Sequence, residues 1–282
     1  MGKFDHVAIF SDIDGTFLGT RSSTVPRNLD AVKYFTEEGG IFTFATGRMT
    51  MNLPTHLPYV RELVNYPVVL NNGTQLYDFR TEETLESHYM EVDHLRELID
   101  FYEENCREVA LRVTAPGKYL YQHNYPLFVH DFGITLEGGY EQKPYEEWDL
   151  SRIYKFVFRG TPEQLIAVRA KLEPHFLDYY TFTLAGDNIL EMQKKGTSKG
   201  NMIRSIGERF RREGNPRRIF CIGDHENDLE MLKAADVAAC PSNALDSVKA
   251  LCTLHLCDHN EGAIADLIRA IEENPAYCAA PL

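Results

Sequence analysis

An α/β protein with a Rossmann-like parallel sheet and a second, inserted α+β domain is the architecture this sequence predicts. Three observations predict it. Short, near-continuous apolar runs recur at residues 6–11, 41–45, 67–71, 218–222 and 236–240, the pattern of parallel strands covered on both faces. Segments of helical period separate these runs at both ends of the chain. Between about residue 80 and residue 195 the alternation gives way to hairpin and helix signals in runs, and 282 residues exceed the usual size of a single core.

The first unit is a right-handed βαβ. Its helix lies in "STVPRNLDAVKYFTEEGG", where Ser23 or Thr24 is the expected N-cap, Pro26 sits in the first turn, Leu29, Val32 and Phe35 share a face, and Gly39 stops the helix. The C-terminal third repeats the scheme, with helices expected at 198–212, 226–234, 244–251 and 261–273 around strands 218–222 and 236–240. In the middle we expect a helix at 92–105, strands "VALRVTA" and "KYLYQ" joined by Pro116-Gly117, strand "RIYKFVF", a helix at 162–174, and strands "YYTFTL" and "NILEMQ" joined around Gly186-Asp187. The boundaries this implies are a core of residues 1–79 and 196–282 and an insert of residues 80–195.

Composition narrows the partners. A formal charge of −13 argues against nucleic acid and anionic membranes. With no signal-like start and no run approaching 18 apolar residues, a cytoplasmic protein is expected. Its six cysteines form no regular framework, so reduced thiols are expected. Cys252, His255, Cys257 and His259 fall close together, but "CTLHLC" reads as a helix end running into a short strand, and the spacing lacks a zinc-site pattern. Oligomeric state is not legible.

Ligands of open parallel sheets bind beyond the carboxyl ends of the strands, so polar residues at several such ends are read together. Here they are Asp12 and Asp14 in "DIDGTFL", Thr46 and Gly47 in "ATGR", Lys199 in "TSKG", and Asp224, Asn227 and Asp228 in "GDHENDLEML". Taken singly, Thr46 is equally a helix cap, Lys199 a solvated first-turn lysine, and Asp224 with Asp228 an acidic helix start. A calcium loop is excluded: Phe17 and Ser23, or Leu229 and Ala235, occupy the places that need Gly and Glu.

Together these residues have the chemistry of phosphoryl transfer, which needs an acceptor, a proton source for the departing oxygen, and positive charge or N–H donors around the phosphoryl oxygens. Asp12 and Asp224 can hold Mg²⁺. Asp12 can then attack phosphorus to give an aspartyl phosphate, and Asp14 can protonate the leaving alcohol and later deprotonate water. Thr46, Lys199, Asn227 and the N–H groups of Ile13 and Gly47 would hold the phosphoryl oxygens.

The four motifs, in this order, resemble the signature motifs of the haloacid dehalogenase (HAD) superfamily of phosphohydrolases. That resemblance implies Asp12 as nucleophile, Asp14 as acid and base, and metal ligation by Asp12, the Asp14 carbonyl and Asp224, with Asp228 orienting metal waters. About 29 residues separate the first two motifs and about 150 separate Thr46 from Lys199, so the insert follows the third strand. This is similar to the Cof-like subgroup with a type IIB cap, as are "LNNGTQLYD", "CPSNALDSVKALC" and "NEGAIADLI". The implied activity is Mg²⁺-dependent hydrolysis of small phosphate monoesters, sugar phosphates foremost, with the cap setting specificity. Phosphomutase activity and a non-catalytic regulatory role remain the alternatives. In the cap, "YLYQHNYPLFVHDFG" and Trp148 are either a sugar-stacking wall or, the stronger expectation, core.

Overall fold

The structure, a computed structural model, describes residues 2–123, 139–185 and 188–281. The first stretch holds β1 (Val7–Ser11), α1 (Pro26–Glu37), β2 (Ile41–Phe44), the short helices α2 (Leu53–His56) and α3 (Val60–Leu63), β3 (Val68–Leu70), β4 (Gln75–Asp78) and β5 (Glu83–Ser87). Next come α4 (Val92–Asn105), β6 (Ala110–Ala115), β7 (Lys118–Tyr121), β8 (Tyr140–Gln142), β9 (Lys155–Arg159), α5 (Pro162–Phe176), β10 (Tyr180–Leu184) and β11 (Ile189–Lys194). The last stretch holds α6 (Lys199–Arg212), β12 (Arg218–Ile222), α7 (Leu229–Ala234), β13 (Val237–Pro241), α8 (Asp246–Lys249), β14 (Leu254–Leu256), α9 (Ala263–Glu273) and α10 (Pro275–Cys278). The chain divides into two compact units: Met1–Arg48, Leu53–Glu86 and Ser198–Leu282 form one, and Met49–Asn52 with Ser87–Thr197 form the other.

The first unit is built on a five-stranded parallel sheet in the order β14-β13-β12-β1-β2. Alternation along β1 sends Val7 and Ile9 to one face, where they meet Val32 and Phe35 of α1 and Ile264, Leu267 and Ile268 of α9. Ala8 and Phe10 face Met202, Ile203 and Ile206 of α6 and Met231 of α7 on the other. Covering both faces is why these strands read as continuous apolar runs.

Four expectations for this unit change. The run at 67–71 is not a full member of the parallel sheet: its ladder contact there is the isolated parallel bridge Ala45–Val69, just past β2, and β3 pairs antiparallel with β4. The fifth parallel strand is β14, after "CTLHLC" begins. Neither Ser23 nor Thr24 caps α1, which starts from Val25 with Pro26 in first position; the Thr24 hydroxyl instead meets the Tyr59 hydroxyl at 2.8 Å. A proline there needs no donor partner for its missing N–H, so a side-chain cap is less needed. Two helices are also shorter than expected, because a 3-10 turn, Glu226–Asp228, precedes α7 and α8 keeps a single turn.

The second unit has a six-stranded sheet in the order β10-β11-β9-β6-β7-β8. Leu95, Leu98 and Tyr102 of α4 and Leu165, Val168 and Leu172 of α5 pack on Leu111, Val113, Phe156, Phe158, Leu190 and Met192 of the strands. Thr161 caps α5 with a reciprocal pair of bonds to Gln164. Trp148 lies in this core, edge-on to Tyr145, as the sequence favoured. The rest of the aromatic stretch, 124–133, and the turn at Gly186-Asp187 lie outside the described residues.

The crossings between units fall a few residues from the boundaries the sequence suggested. Residues 80–86 belong to the first unit because β5 extends the β3-β4 pair to three strands, with Gln75 Nε2 donating to the Thr84 hydroxyl at 3.1 Å. Residues 49–52 belong to the second, where the Tyr119 hydroxyl donates to Asn52 Oδ1 at 2.6 Å.

Candidate active site

Parallel pairing of β1 and β12, in register from Val7–Arg218 to Ser11–Ile222, delivers Asp12 and Asp224 side by side at the ends of two adjacent strands. The Asp12 N–H donates to the Ile222 carbonyl at 2.9 Å, so the ladder runs one residue past the strand and fixes where the carboxylate leaves the sheet.

At this point the chain closes a tight turn. The Ile13 carbonyl accepts from the N–H groups of Phe17 and Leu18 at 3.1 and 2.9 Å, with the Ile13 side chain anchored in the core. The turn needs Gly15 at φ +74°, and a Cβ there would lie 2.4 Å from Asp224 Oδ2. Glycine thus supplies both the left-handed backbone and the space for a neighbouring carboxylate. Asn243 closes the far side by donating from Nδ2 to the Gly15 carbonyl at 2.8 Å.

Lys199, first residue of α6, lies at the centre. Its fully buried ammonium donates to Asp12 Oδ1 at 2.6 Å and to Asp228 Oδ1 at 2.7 Å. Asp228 Oδ2 accepts the backbone N–H groups of Asp224 and His225 at 2.9 and 3.2 Å, tying the loop after β12 to the same charge. The Thr16 hydroxyl donates to Asp224 Oδ1 at 2.8 Å. Ligand oxygens of Asp12, Asp224 and Asp228 all lie within 4.8 Å of one another.

Electrostatics follow from this crowding. Burial, and then the charge of Asp228, push the Asp12 carboxyl well above the usual carboxylate range against the pull of Lys199. Burial and Asp228 likewise push Asp224 up to about 7, opposed by the Thr16 hydrogen bond. Burial alone would lower Lys199, but the facing charges of Asp12 and Asp228 outweigh it and hold the ammonium protonated. One lysine among three carboxylates leaves negative charge in excess, and an all-oxygen donor set of this kind fits a hard divalent cation. The fit is best at Asp12 and Asp224: Asp228 has already spent three of its four lone-pair positions on Lys199 and two N–H groups.

The second motif approaches from β2. Thr46 is buried, and its hydroxyl oxygen accepts the Arg48 N–H at 3.2 Å, which leaves its hydrogen to donate elsewhere. Gly47 lies against Asn72, where a Cβ would come 3.1 Å from Oδ1. Asn227 Nδ2 donates to that same Asn72 oxygen at 3.4 Å. Asp14 stands apart from the acidic cluster. Its half-exposed carboxylate is gripped bidentately by Arg48, Nε to Oδ2 at 2.8 Å and Nη2 to Oδ1 at 2.6 Å.

Of the residues selected from sequence, the structure thus joins Asp12, Lys199, Asp224 and Asp228 directly, links Gly47 and Asn227 through Asn72, and links Thr46 and Asp14 through Arg48. Thr16 and Arg48 were not selected. Both stand inside quoted motifs, but only a contact across the fold distinguishes them from their neighbours.

The haloacid dehalogenase-like hydrolase model matches residues 9–268, which takes in all four motifs. The chain belongs to that family. Pyridoxal phosphate phosphatase YbhA of Escherichia coli K12 is 24% identical over 266 residues, covering 91% of this chain and 95% of the relative. A haloacid dehalogenase-like hydrolase from Bacteroides thetaiotaomicron superposes with a TM-score of 0.78 at 18% identity, over 94% of this chain and 99% of the other. A subclass IIB sugar phosphatase of the HAD superfamily does so with a TM-score of 0.75 at 18% identity, over 95% and 98%. These two likenesses show the fold: a HAD core with a separate sheet-rich region of the IIB kind. A hydrolase family and phosphatase relatives matched along nine tenths of the chain make this HAD protein a phosphatase.

Proposed function

We propose that this HAD phosphatase hydrolyses small phosphate monoesters, sugar phosphates among them, with Mg²⁺ and through an aspartyl phosphate on Asp12. The observation that carries the reading is Lys199 bridging Asp12 and Asp228 with Asp224 alongside. Lys199 holds Oδ1 of Asp12 and leaves Oδ2 to attack phosphorus; the P–O bond to the leaving alcohol breaks, and Asp14 gives that oxygen its proton. In the second half Asp14 takes a proton from water, whose oxygen attacks phosphorus and displaces the Asp12 carboxylate. Thr46, Gly47 N–H, Ile13 N–H, Lys199 and Asn227 hold the phosphoryl oxygens. Asp12, Asp224 and the Asp14 carbonyl would hold Mg²⁺, with Asp228 fixing the loop that carries Asp224; the ion supplies positive charge that offsets repulsion between carboxylate and phosphate.

Arg48 has a role in this reading. A carboxylate clamped by a guanidinium is held in one orientation, so Asp14 must leave at least one of these two bonds to deliver a proton. Asp14→Asn should cut turnover of sugar phosphates by ~10²–10⁴-fold and of 4-nitrophenyl phosphate far less, because nitrophenolate leaves without a proton. Equal losses on both substrates would remove Asp14 from the acid role.

Metal removal gives a second test. EDTA should abolish phosphate release, Mg²⁺ should restore it, and Ca²⁺, with its longer and looser coordination, should restore it poorly. Full activity in chelator would overturn the reading. Thermal stability should report the same site. Asp224 is raised in the folded state, so its protonated form stabilises the metal-free protein at low pH, and that contribution is lost as pH rises towards about 7. Mg²⁺ needs the ionised form. The Mg²⁺-induced rise in Tm should therefore be larger at pH 8 than at pH 5, and Asp224→Asn should shrink the difference.

We assign the choice of substrate to the second unit, Met49–Asn52 with Ser87–Thr197, and the chemistry to the first. Exchanging the insert for that of a phosphatase with another preference should reorder the ranking of sugar phosphates without altering the Mg²⁺ requirement. Six free thiols support placing the protein in the reducing cytoplasm.

A further inference from the structure

The turn that follows β3 has an uncommon backbone. Asn71, Asn72 and Gly73 stand at φ +50°, +55° and +93°, three left-handed residues in succession, and only the last is glycine. Both asparagines are buried. Asparagine enters this region more readily than most residues that carry a Cβ, yet glycine does so at lower cost. Such conformations persist where the surroundings over-determine them, and they cluster at functional sites.

The surroundings here are three of the four sequence motifs. The Asn72 N–H donates to the Thr46 carbonyl at 2.9 Å, and the Asn71 N–H donates to the Arg48 carbonyl at 3.0 Å. A trans peptide points its C=O and the following N–H in opposite directions, so tying down the Thr46 carbonyl also fixes the line of the Gly47 N–H. Gly73 packs on the residue before Lys199, where a Cβ would lie 2.1 Å from the Ser198 carbonyl oxygen. These contacts use backbone alone, and they account for the shape of the turn. They do not account for the Asn72 side chain, whose Oδ1 lies against Gly47 and accepts from Asn227 Nδ2 at 3.4 Å.

We propose that Asn72 is a positioning residue for phosphate binding, its side chain setting which end of the Asn227 carboxamide faces the phosphoryl group. The role builds on the proposed hold of Asn227 on a phosphoryl oxygen. A carboxamide has two ends of nearly equal size, and only the nitrogen end donates. Turned half-way round, Asn227 would present its oxygen to phosphoryl oxygens and repel them. Asn72 Oδ1 is an acceptor, so it holds the nitrogen end on its own side of Asn227. One Nδ2 hydrogen goes to Asn72 and the second to the phosphoryl group. The orientation is then set before substrate arrives, and no binding energy is spent on choosing it.

Asn72→Gly tests the role, because glycine accepts the left-handed backbone and keeps the N–H bond to Thr46 while removing the acceptor. Calorimetry on the full chain with inorganic phosphate and Mg²⁺ reads the effect without turnover. Asn72→Gly and Asn227→Ala should each weaken phosphate by about tenfold, and the double variant should stay within about twofold of the weaker single one, because both changes remove the same contact. A turn that had merely loosened would disturb Thr46, Gly47 and Lys199 as well, and its loss would persist without Asn227. Nitrogen–proton correlation spectra give a second readout. The Asn227 Nδ2 signals, identified by their disappearance in Asn227→Ala, should shift with saturating phosphate in the wild type and stay in place in Asn72→Gly. Asn72→Asp, which keeps an acceptor and tolerates the same backbone, should restore the shift.

Losses that multiply in the double variant, or an Asn227 signal that answers phosphate equally in Asn72→Gly and the wild type, overturn the proposal. A protein that binds phosphate with the expected pattern but hydrolyses no monoester would sink the catalytic reading and leave the role of Asn72 standing. Hydrolysis by the wild type together with multiplying losses would do the reverse.

Discussion

Asp12→Asn should reduce phosphate release by ~10⁴-fold or more, the scale on which loss of a covalent nucleophile is felt. An amide is a poor nucleophile and a weak ligand for a hard cation. The fold should survive, because the amide oxygen still accepts from Lys199, and a neutral side chain is spared the burial and the Asp228 repulsion that raise Asp12. Rate and circular dichroism should be measured together. Undiminished turnover in a folded variant would remove Asp12 from the nucleophile's role, and a trapped phosphoryl group on the wild-type Asp12 carboxylate, read by mass spectrometry after acid quench, would support it directly.

Lys199→Met should damage both activity and stability. The ammonium is the buried counter-charge shared by Asp12 and Asp228, and stripping one member from a buried ionic cluster costs about 3–5 kcal/mol. Turnover should fall ~10³-fold, since the attacking carboxylate loses its orientation and the phosphoryl oxygens lose a charge. The stability loss should depend on pH in a defined sense. Without Lys199 the Asp12 carboxyl is pushed further above its unfolded value; it then stabilises only while protonated, a contribution complete below the unfolded value near 4 and lost as pH rises through the folded one. Melting at pH 5 and pH 8 should show a larger deficit at pH 8. Lys199→Arg, which keeps the charge, should recover stability more than rate. A pH-independent deficit would mean that lost packing, not lost charge, is the cause.

The acidic cluster was legible because its members end strands or start helices, and parallel strands bring such positions to one edge whatever the details. The strand runs and the main helices follow from the same logic of two covered faces. Arg48 escaped because its partner, Asp14, lies far away in sequence, and nothing in "ATGR" says which way a flexible arginine points. The run at 67–71 is as apolar as a central strand, so composition could not show that it turns away after a single bridge to pair with β4. Residues 49–52 join the other unit through tertiary contacts such as the Asn52–Tyr119 bond, which have no sequence signature.

The position of β1 governs the order in which this enzyme can be made. One edge pairs with β2, at Ala8–Ile41, but the other pairs with β12, at Val7–Arg218. During synthesis the chain emerges from its N-terminus, so β1 and β2 can associate while the β12 edge stays bare through the whole of the second unit. Asp12 is present throughout that interval without Lys199 or Asp224 beside it. On the proposed assignment the chemistry is silent in every nascent chain shorter than about four fifths of the sequence, and a ribosome stalled before "CIGDHEND" holds a half-sheet with an open edge for other strands to claim.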